Sequence, residues 1–327
     1  MIRSVYLMLG QKCNFSCRYC IQKEKFFDEL PRSSINEKVI AYLKTLKNKP
    51  LLQFWGGEPL LYFADIKYLV EQLGHSFEYS IITNGALLTD SIVEFINEHD
   101  IWLTISNDGP GTAEYRNYNI LDDENIVGII GKYKRKKSFS AVISAQNYDV
   151  KAIYQYITAK FEDSYINYDF ILASKGTPED LVDFDFKKFE DYFSQYFDEC
   201  SASIMTGTAN YQDLLFLSGL TKDFSPKYKL GEVSCGAYTT TLNIDLLGNV
   251  YKCHNSGEII GSIDNLQNIK SYKHSDKHLD TCSVCECINF CKMGCILMPL
   301  EIKKEYFCRL KKILHKHLNI MEKSLLC

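Results

Sequence analysis

Short apolar runs and longer amphipathic ones take turns along the first half of the chain. SVYLML (4–9), LLQFW (51–55), EYSIIT (78–83), IWLTIS (101–106), FSAVIS (139–144) and YINYDFIL (165–172) are rich in β-branched and aromatic residues and read as strands. Between them SINEKVIAYLKTLK, ADIKYLVEQLG, TDSIVEFINEH, ENIVGIIGKYKRK and DVKAIYQYITAKF repeat apolar residues at helical spacing. About six β/α units in succession predict an α/β fold with a parallel sheet, a partial (β/α)6 TIM-like barrel over residues 1–176. Such a fold presents its chemistry on the loops that follow the C-terminal ends of the strands. Residues 177–230 read as a helical bridge rich in acidic and aromatic side chains. From 231 to 327 Gly- and Cys-rich turns take over, with a β-hairpin in TTTLNIDLLGNVYKC turning at Gly248-Asn249, short helices, and a terminal helix whose His315 and His317 are expected to face solvent.

Composition narrows this picture. A chain of 327 residues with 46% hydrophobic content, 22 Tyr and 19 Phe can bury a large core. Its formal charge of -4 argues against nucleic acid as a partner, and the basic run KYKRKK (132–137) is expected to close a helix in solvent. No apolar run approaches the roughly 20 residues that span a bilayer, so a cytoplasmic protein without a membrane partner is expected. Thirteen cysteines in a reducing compartment, grouped at short spacings, point to metal rather than disulfides.

Cys13, Cys17 and Cys20 form C-x3-C-x2-C directly after the first strand. Structural zinc takes four ligands, and no fourth Cys or His lies nearby. Three thiolates on a 4Fe-4S cube leave one iron open to a small molecule. The motif, with Tyr19 before the last cysteine, resembles the radical S-adenosylmethionine superfamily. The resemblance implies a 4Fe-4S cluster whose free iron chelates S-adenosylmethionine, cleaved after reduction to a 5′-deoxyadenosyl radical. It also assigns cofactor contacts at later strand ends: Gly56, Gly57 and Glu58 of GGEP, Asn84 of TNG, Ser106 of SNDG, and Arg116 as a fork for the cofactor carboxylate.

The later cysteines follow C-x12-G-x4-C (Cys235, Gly248, Cys253), then C-x2-C-x5-C-x3-C (Cys282, Cys285, Cys291, Cys295), then Cys308. This resembles the SPASM domain of radical enzymes that modify peptides. The resemblance implies two auxiliary 4Fe-4S clusters, three clusters in all. Cys282, Cys285, Cys291 and Cys308 would close one; Cys235, Cys253 and Cys295 would hold the other with an iron left open, since the nearest upstream thiol is Cys200. Cys287 and Cys327 fit no ligand position.

Within that resemblance the expected activity is a peptide maturase that takes hydrogen from a ribosomally made precursor and installs a thioether, carbon–carbon or carbon–oxygen crosslink. The alternatives are a sulfatase-type maturase forming formylglycine and a peptide epimerase using Cys200 as hydrogen donor; from a different class, a non-catalytic iron-sulfur electron carrier. Trp55 before the Gly-Gly pair, and His254 where sulfatase maturases carry Asp, favour the first. His254 is a candidate base or a hydrogen-bond donor to cluster sulfur. An external flavodoxin or ferredoxin would supply electrons. Because the first strand begins near residue 5, no N-terminal leader-binding domain is expected, and a leader would be recognised by the aromatic bridge, by a separate protein, or not at all.

Overall fold

The computed structural model describes residues 2–23, 35–221, 224–225, 227–233, 235–236, 240–268 and 279–326; Cys327 lies outside them. Nine strands form one open sheet: β1 (Ser4–Met8), β2 (Leu51–Trp55), β3 (Glu78–Thr83), β4 (Trp102–Ser106), β5 (Lys137–Ile143), β6 (Ser164–Phe170), β7 (Thr241–Asp245), β8 (Asn249–Tyr251) and β9 (Ile259–Ser262). Their spatial order is β6-β5-β4-β3-β2-β1-β7-β8-β9. Each pairing from β1 through β5 is parallel, as the alternation predicts, and the sheet does not close into a barrel.

The hairpin of the cysteine-rich region extends this sheet. β7 pairs in parallel with β1, Ser4 opposite Thr241 and Met8 opposite Asp245, and then turns back antiparallel into β8. Leu242, Asn243, Ile244 and Asp245 are all buried, the signature of a strand covered on both faces. Asp245 sets the turn by accepting the N–H groups of Leu247 and Asn249.

Cα proximity divides the chain into two compact units: residues 1–141, 152–165 and 236–271 in one, residues 142–151, 166–235 and 272–327 in the other. In the first unit, helices α1 (Glu37–Thr45), α2 (Phe63–Leu73), α3 (Asp90–Glu98), α4 (Thr112–Arg116), α5 (Glu124–Gly131) and α6 (Val150–Thr158) alternate with the strands, α6 beginning in the second. Asn36, Thr89 and Asp123 accept N–H groups at the starts of α1, α3 and α5, which fixes where those helices begin. Val5, Leu7, Leu52, Phe54 and Ile81 form the sheet's fully buried centre.

The second unit contains α7 (Phe186–Met205), α8 (Tyr211–Thr221), α9 (Leu279–Cys282), α10 (Ile288–Cys291), α11 (Leu300–Ile302), a π-helical turn over Lys303–Phe307 and α12 (Cys308–Leu326). Part of the bridge's aromatic content is core: Phe189, Phe193, Tyr196 and Phe197 of α7 are buried, with ring contacts to Tyr148, Phe184 and Phe216, whereas Tyr211 and Phe224 are exposed. His317 of α12 is likewise buried, against the expectation of a solvated face, and stands 3.4 Å from Glu190, which also pairs with Lys316. No helix among the described residues is long and apolar enough to cross a membrane.

Candidate functional site

The Cys13–Cys20 segment leaves the end of β1 and is held from three neighbouring strand ends. After β2, the Gly57 N–H donates to the Gly10 carbonyl at 3.0 Å and the Glu58 N–H to that of Lys12 at 2.9 Å. This explains the glycine pair. A Cβ on Gly56, at φ +148, would stand 2.2 Å from the Gly10 oxygen, and one on Gly57 2.3 Å from the Lys12 oxygen. The close approach these glycines permit is thus to the cysteine segment's own backbone.

Glu58 clasps the loops after β2 and β3. Its Oε1 accepts the Thr83 hydroxyl at 2.6 Å and the Leu60 N–H at 3.0 Å, while Oε2 accepts the Asn84 N–H at 2.9 Å. Burial raises its pKa, and these three bonds work in the opposite direction. Asn84 donates to Asn14 Oδ1 at 2.8 Å and bonds to the Cys13 thiol, so the TNG loop touches the cysteine segment directly.

The third support is a buried ion pair. Arg116 Nε and Nη2 donate to Asp108 at 2.7 and 2.9 Å, and the Tyr19 hydroxyl donates to the same carboxylate at 2.5 Å. Burial opposes the charge on Arg116, and Asp108 outweighs it. The guanidinium also lies 5.3 Å from the Tyr19 ring centre. Arg116, expected to fork onto a ligand carboxylate, is here forked onto Asp108. Asp108 was legible within SNDG, eight positions before Arg116, but its part in anchoring Tyr19 was not. Ser106 ends β4, half-buried.

The three thiols act on one another electrostatically: Cys20 raises the Cys13 and Cys17 pKa values, and Cys13 raises that of Cys17. Burial is the larger cause in both, and pushes Cys17 up to about 11 although Arg116 pulls it down. Loading a metal cluster must therefore displace protons from this site.

His254 follows Cys253 beyond the end of β8, in the same unit as β1 and β2. Its ring stacks on Tyr6 at 4.5 Å with an interplanar angle of 13° and meets Trp55 edge-on at 4.7 Å; its carbonyl accepts the Trp55 indole N–H at 3.0 Å. Burial pushes the imidazole down to about 4 from 6.5, so it is neutral at pH 7 and a weak base.

In the second unit a cavity of about 300 Å³ is lined by Cys282, Cys285, Cys291 and Cys308, with Cys287 and Lys303 beside them. These four thiols are the expected closed set. Among the described residues no His, Cys, Asp or Glu side chains are gathered tightly enough for one metal ion, such as a zinc at ~2.3 Å from each sulfur. A 4Fe-4S cube gives each thiolate its own iron and tolerates wider spacing. Of the other set, Cys235 and Cys295 belong to this unit and Cys295 is electrostatically coupled to Cys235; Cys253 belongs to the first. Cys200 is buried on α7, its thiol against Tyr196 and pushed up to about 11 by burial. Lys303 was missed by sequence reasoning, since only the fold shows which lysine is buried.

Residues 7–157 match the Radical SAM superfamily. Over 99% of its length the chain is 25% identical to the radical SAM cyclopropyl synthase TigE of Paramaledivibacter caminithermalis, covering 75% of that protein. The fold resembles an anaerobic sulfatase-maturating enzyme, anSMEcpe, solved with AdoMet and the Cp18Cys peptide, at TM-score 0.69, 18% identity, and 98% and 99% coverage of the two chains. It also resembles Streptococcus suis SuiB bound to its precursor peptide SuiA, at TM-score 0.61, 17% identity, and 90% and 72% coverage. Its front cysteine motif and these matches place residues 7–157 of the chain in the Radical SAM superfamily, and a cysteine-rich C-terminal region follows.

Proposed function

We propose that the protein is a radical SAM peptide maturase that removes hydrogen from a ribosomally made precursor and closes an oxidative crosslink, the bond being thioether, carbon–carbon or carbon–oxygen. The observation that carries this reading is the cysteine segment's seat at the ends of β1 to β4, held by Gly57, Glu58, Asn84 and Tyr19. Likeness of fold to SuiB, solved with its precursor peptide SuiA, and to anSMEcpe, solved with the Cp18Cys peptide, supports the peptide reading. When bound on Cys13, Cys17 and Cys20, a reduced 4Fe-4S cluster with S-adenosylmethionine supplies a 5′-deoxyadenosyl radical for hydrogen abstraction.

The chain's own residues hold that site in shape. Glu58 locks two loops together, Arg116 acts through Asp108 to fix Tyr19, and Asn84 orients Cys13. Neutral His254, stacked on Tyr6 beside Trp55, gives the neighbouring strand ends an aromatic floor suited to an apolar peptide side chain. Cys282, Cys285, Cys291 and Cys308 around one cavity suit an auxiliary cluster that takes up the electron released when the crosslink forms. A small external electron carrier is assigned to reduction of the front site.

The test is anaerobic incubation of the reconstituted, reduced protein with S-adenosylmethionine and candidate precursor peptides. Formation of 5′-deoxyadenosine, with loss of two hydrogens from the peptide and no aldehyde trapped by a hydrazide, is the expected result. A trapped aldehyde would instead favour formylglycine formation, the reading for which the likeness to anSMEcpe speaks. Deuterium uptake at an α-carbon without hydrogen loss would indicate an epimerase, and no cleavage of S-adenosylmethionine would leave an electron carrier.

A further inference from the structure

Lys303 is the one buried lysine among the described residues, 4% exposed. An ammonium taken out of water costs several kcal/mol unless paired. Yet no ion pair among the described residues includes Lys303; burial disfavours its charge, and the neighbouring thiols of Cys295, Cys291, Cys308 and Cys282 act in the opposite direction. It lines the same cavity as Cys282, Cys285, Cys291 and Cys308.

The backbone is bent to put it there. Lys303 opens the π-helical turn Lys303–Phe307, and the Cys308 N–H closes that turn on the Lys303 carbonyl, an i→i+5 bond. In a regular α-helix at 3.6 residues per turn, residues five apart point ~140° away from each other. The wider π turn brings them toward one face, so the cation and the last thiol of the set line one cavity. Lys304 and Lys312 also line it, but both are exposed and their charges are screened by water.

We propose that Lys303 is the buried counter-cation of the cluster held by Cys282, Cys285, Cys291 and Cys308, and that its charge raises that cluster's reduction potential and makes it an electron acceptor. Four thiolates on a 4Fe-4S core carry two net negative charges when oxidised and three when reduced, so a fixed positive charge at close range favours the reduced form. The inference rests on the auxiliary-cluster part of the proposed function and is independent of the peptide.

The experiment uses the full chain with Cys13, Cys17 and Cys20 all changed to Ala, so that only auxiliary clusters contribute to an EPR-monitored redox titration. Lys303→Met should lower the reduced-to-oxidised ratio at a fixed potential at least tenfold, about 59 mV for a one-electron couple. Lys303→Arg should keep the ratio within threefold of the parent, and Lys304→Met should move it less than Lys303→Met. An unchanged potential in iron-loaded Lys303→Met overturns the proposal, as does an Arg variant that falls as far as Met. Where Lys303→Met fails to load iron, Lys303→Arg and Lys303→Gln decide: loading restored by Arg alone supports the counter-cation, and any other pattern overturns it. A parent triple variant that binds no iron overturns the auxiliary-cluster reading and this proposal together, whereas a loaded parent with an indifferent Lys303 overturns this one alone.

Discussion

Arg116 grips Asp108 through two hydrogen bonds of 2.7 and 2.9 Å, and the Tyr19 hydroxyl completes the carboxylate's shell. Both charged groups are buried, so their attraction operates far from water. Asp108→Asn leaves the guanidinium buried without its counter-charge and is expected to cost about 3–5 kcal/mol, the usual penalty for breaking a buried pair from one side. Urea unfolding of the metal-free protein measures it. The front segment loses its Tyr19 anchor at the same time, so the iron bound by the front site should fall more than that of the rear.

Gly57→Ala places a methyl group 2.3 Å from the Lys12 carbonyl, which is backbone and accepts the Glu58 N–H. Either that bond breaks or the cysteine segment moves. A destabilisation of about 2–3 kcal/mol is expected from the overpacking, with reduced iron loading at Cys13, Cys17 and Cys20. Gly128→Ala is the control. It lies inside α5 with open space where the Cβ would go, and should stabilise by up to ~1 kcal/mol through helix propensity. Equal effects from the two substitutions would refute the close-approach argument.

The sequence was most legible where one residue type has one reason to recur. Alternating apolar runs announced β1 to β6, and cysteine spacing picked out the four thiols that line one cavity, Cys282, Cys285, Cys291 and Cys308, because strands and metal ligands impose short, regular intervals. Partners chosen across the fold were not legible. TLNID looked like one arm of a hairpin, and only its parallel register with β1 shows it to be an interior strand. The aromatic residues of α7 carried no mark of which side they face, and Lys303 looked like any other lysine of a cationic terminal segment. Arg116 was expected to fork onto a cofactor carboxylate, but the acidic residue that receives its fork lies within the adjacent motif, and nothing local distinguishes a ligand carboxylate from Asp108.

His254 gives stability a pH dependence whose sign is fixed by burial. Its pKa is held at about 4 in the fold against 6.5 for the free side chain, so the unfolded chain binds more protons between those values. The contribution is therefore complete above about pH 6.5 and is lost as pH falls toward 4. Between pH 7.5 and 5 the wild type should lose roughly 2 kcal/mol more than His254→Phe, which keeps a ring on Tyr6 without a titrating nitrogen. Urea unfolding of the metal-free proteins at the two pH values checks this. Parallel losses in both would mean that His254 is not held neutral by its seat.

The two thiol groups should fail in different ways. Cys17 belongs to the first unit, in the segment seated at the strand ends, whereas Cys291 lies in the second and lines the cavity with Cys282, Cys285 and Cys308. A front site that generates the radical needs no rear cluster to cleave S-adenosylmethionine, but a net oxidation of the peptide needs somewhere for the last electron to go. Cys17→Ala should therefore abolish 5′-deoxyadenosine formation and remove one cluster's share of iron. Cys291→Ala should keep 5′-deoxyadenosine formation within about tenfold of wild type, a change of ~1.4 kcal/mol in barrier, while the dehydrogenated peptide disappears. Product and cleavage assays on the same reaction separate the two. If Cys291→Ala still yields crosslinked peptide in proportion to the 5′-deoxyadenosine formed, the rear thiols are structural, and the electron leaves by another route.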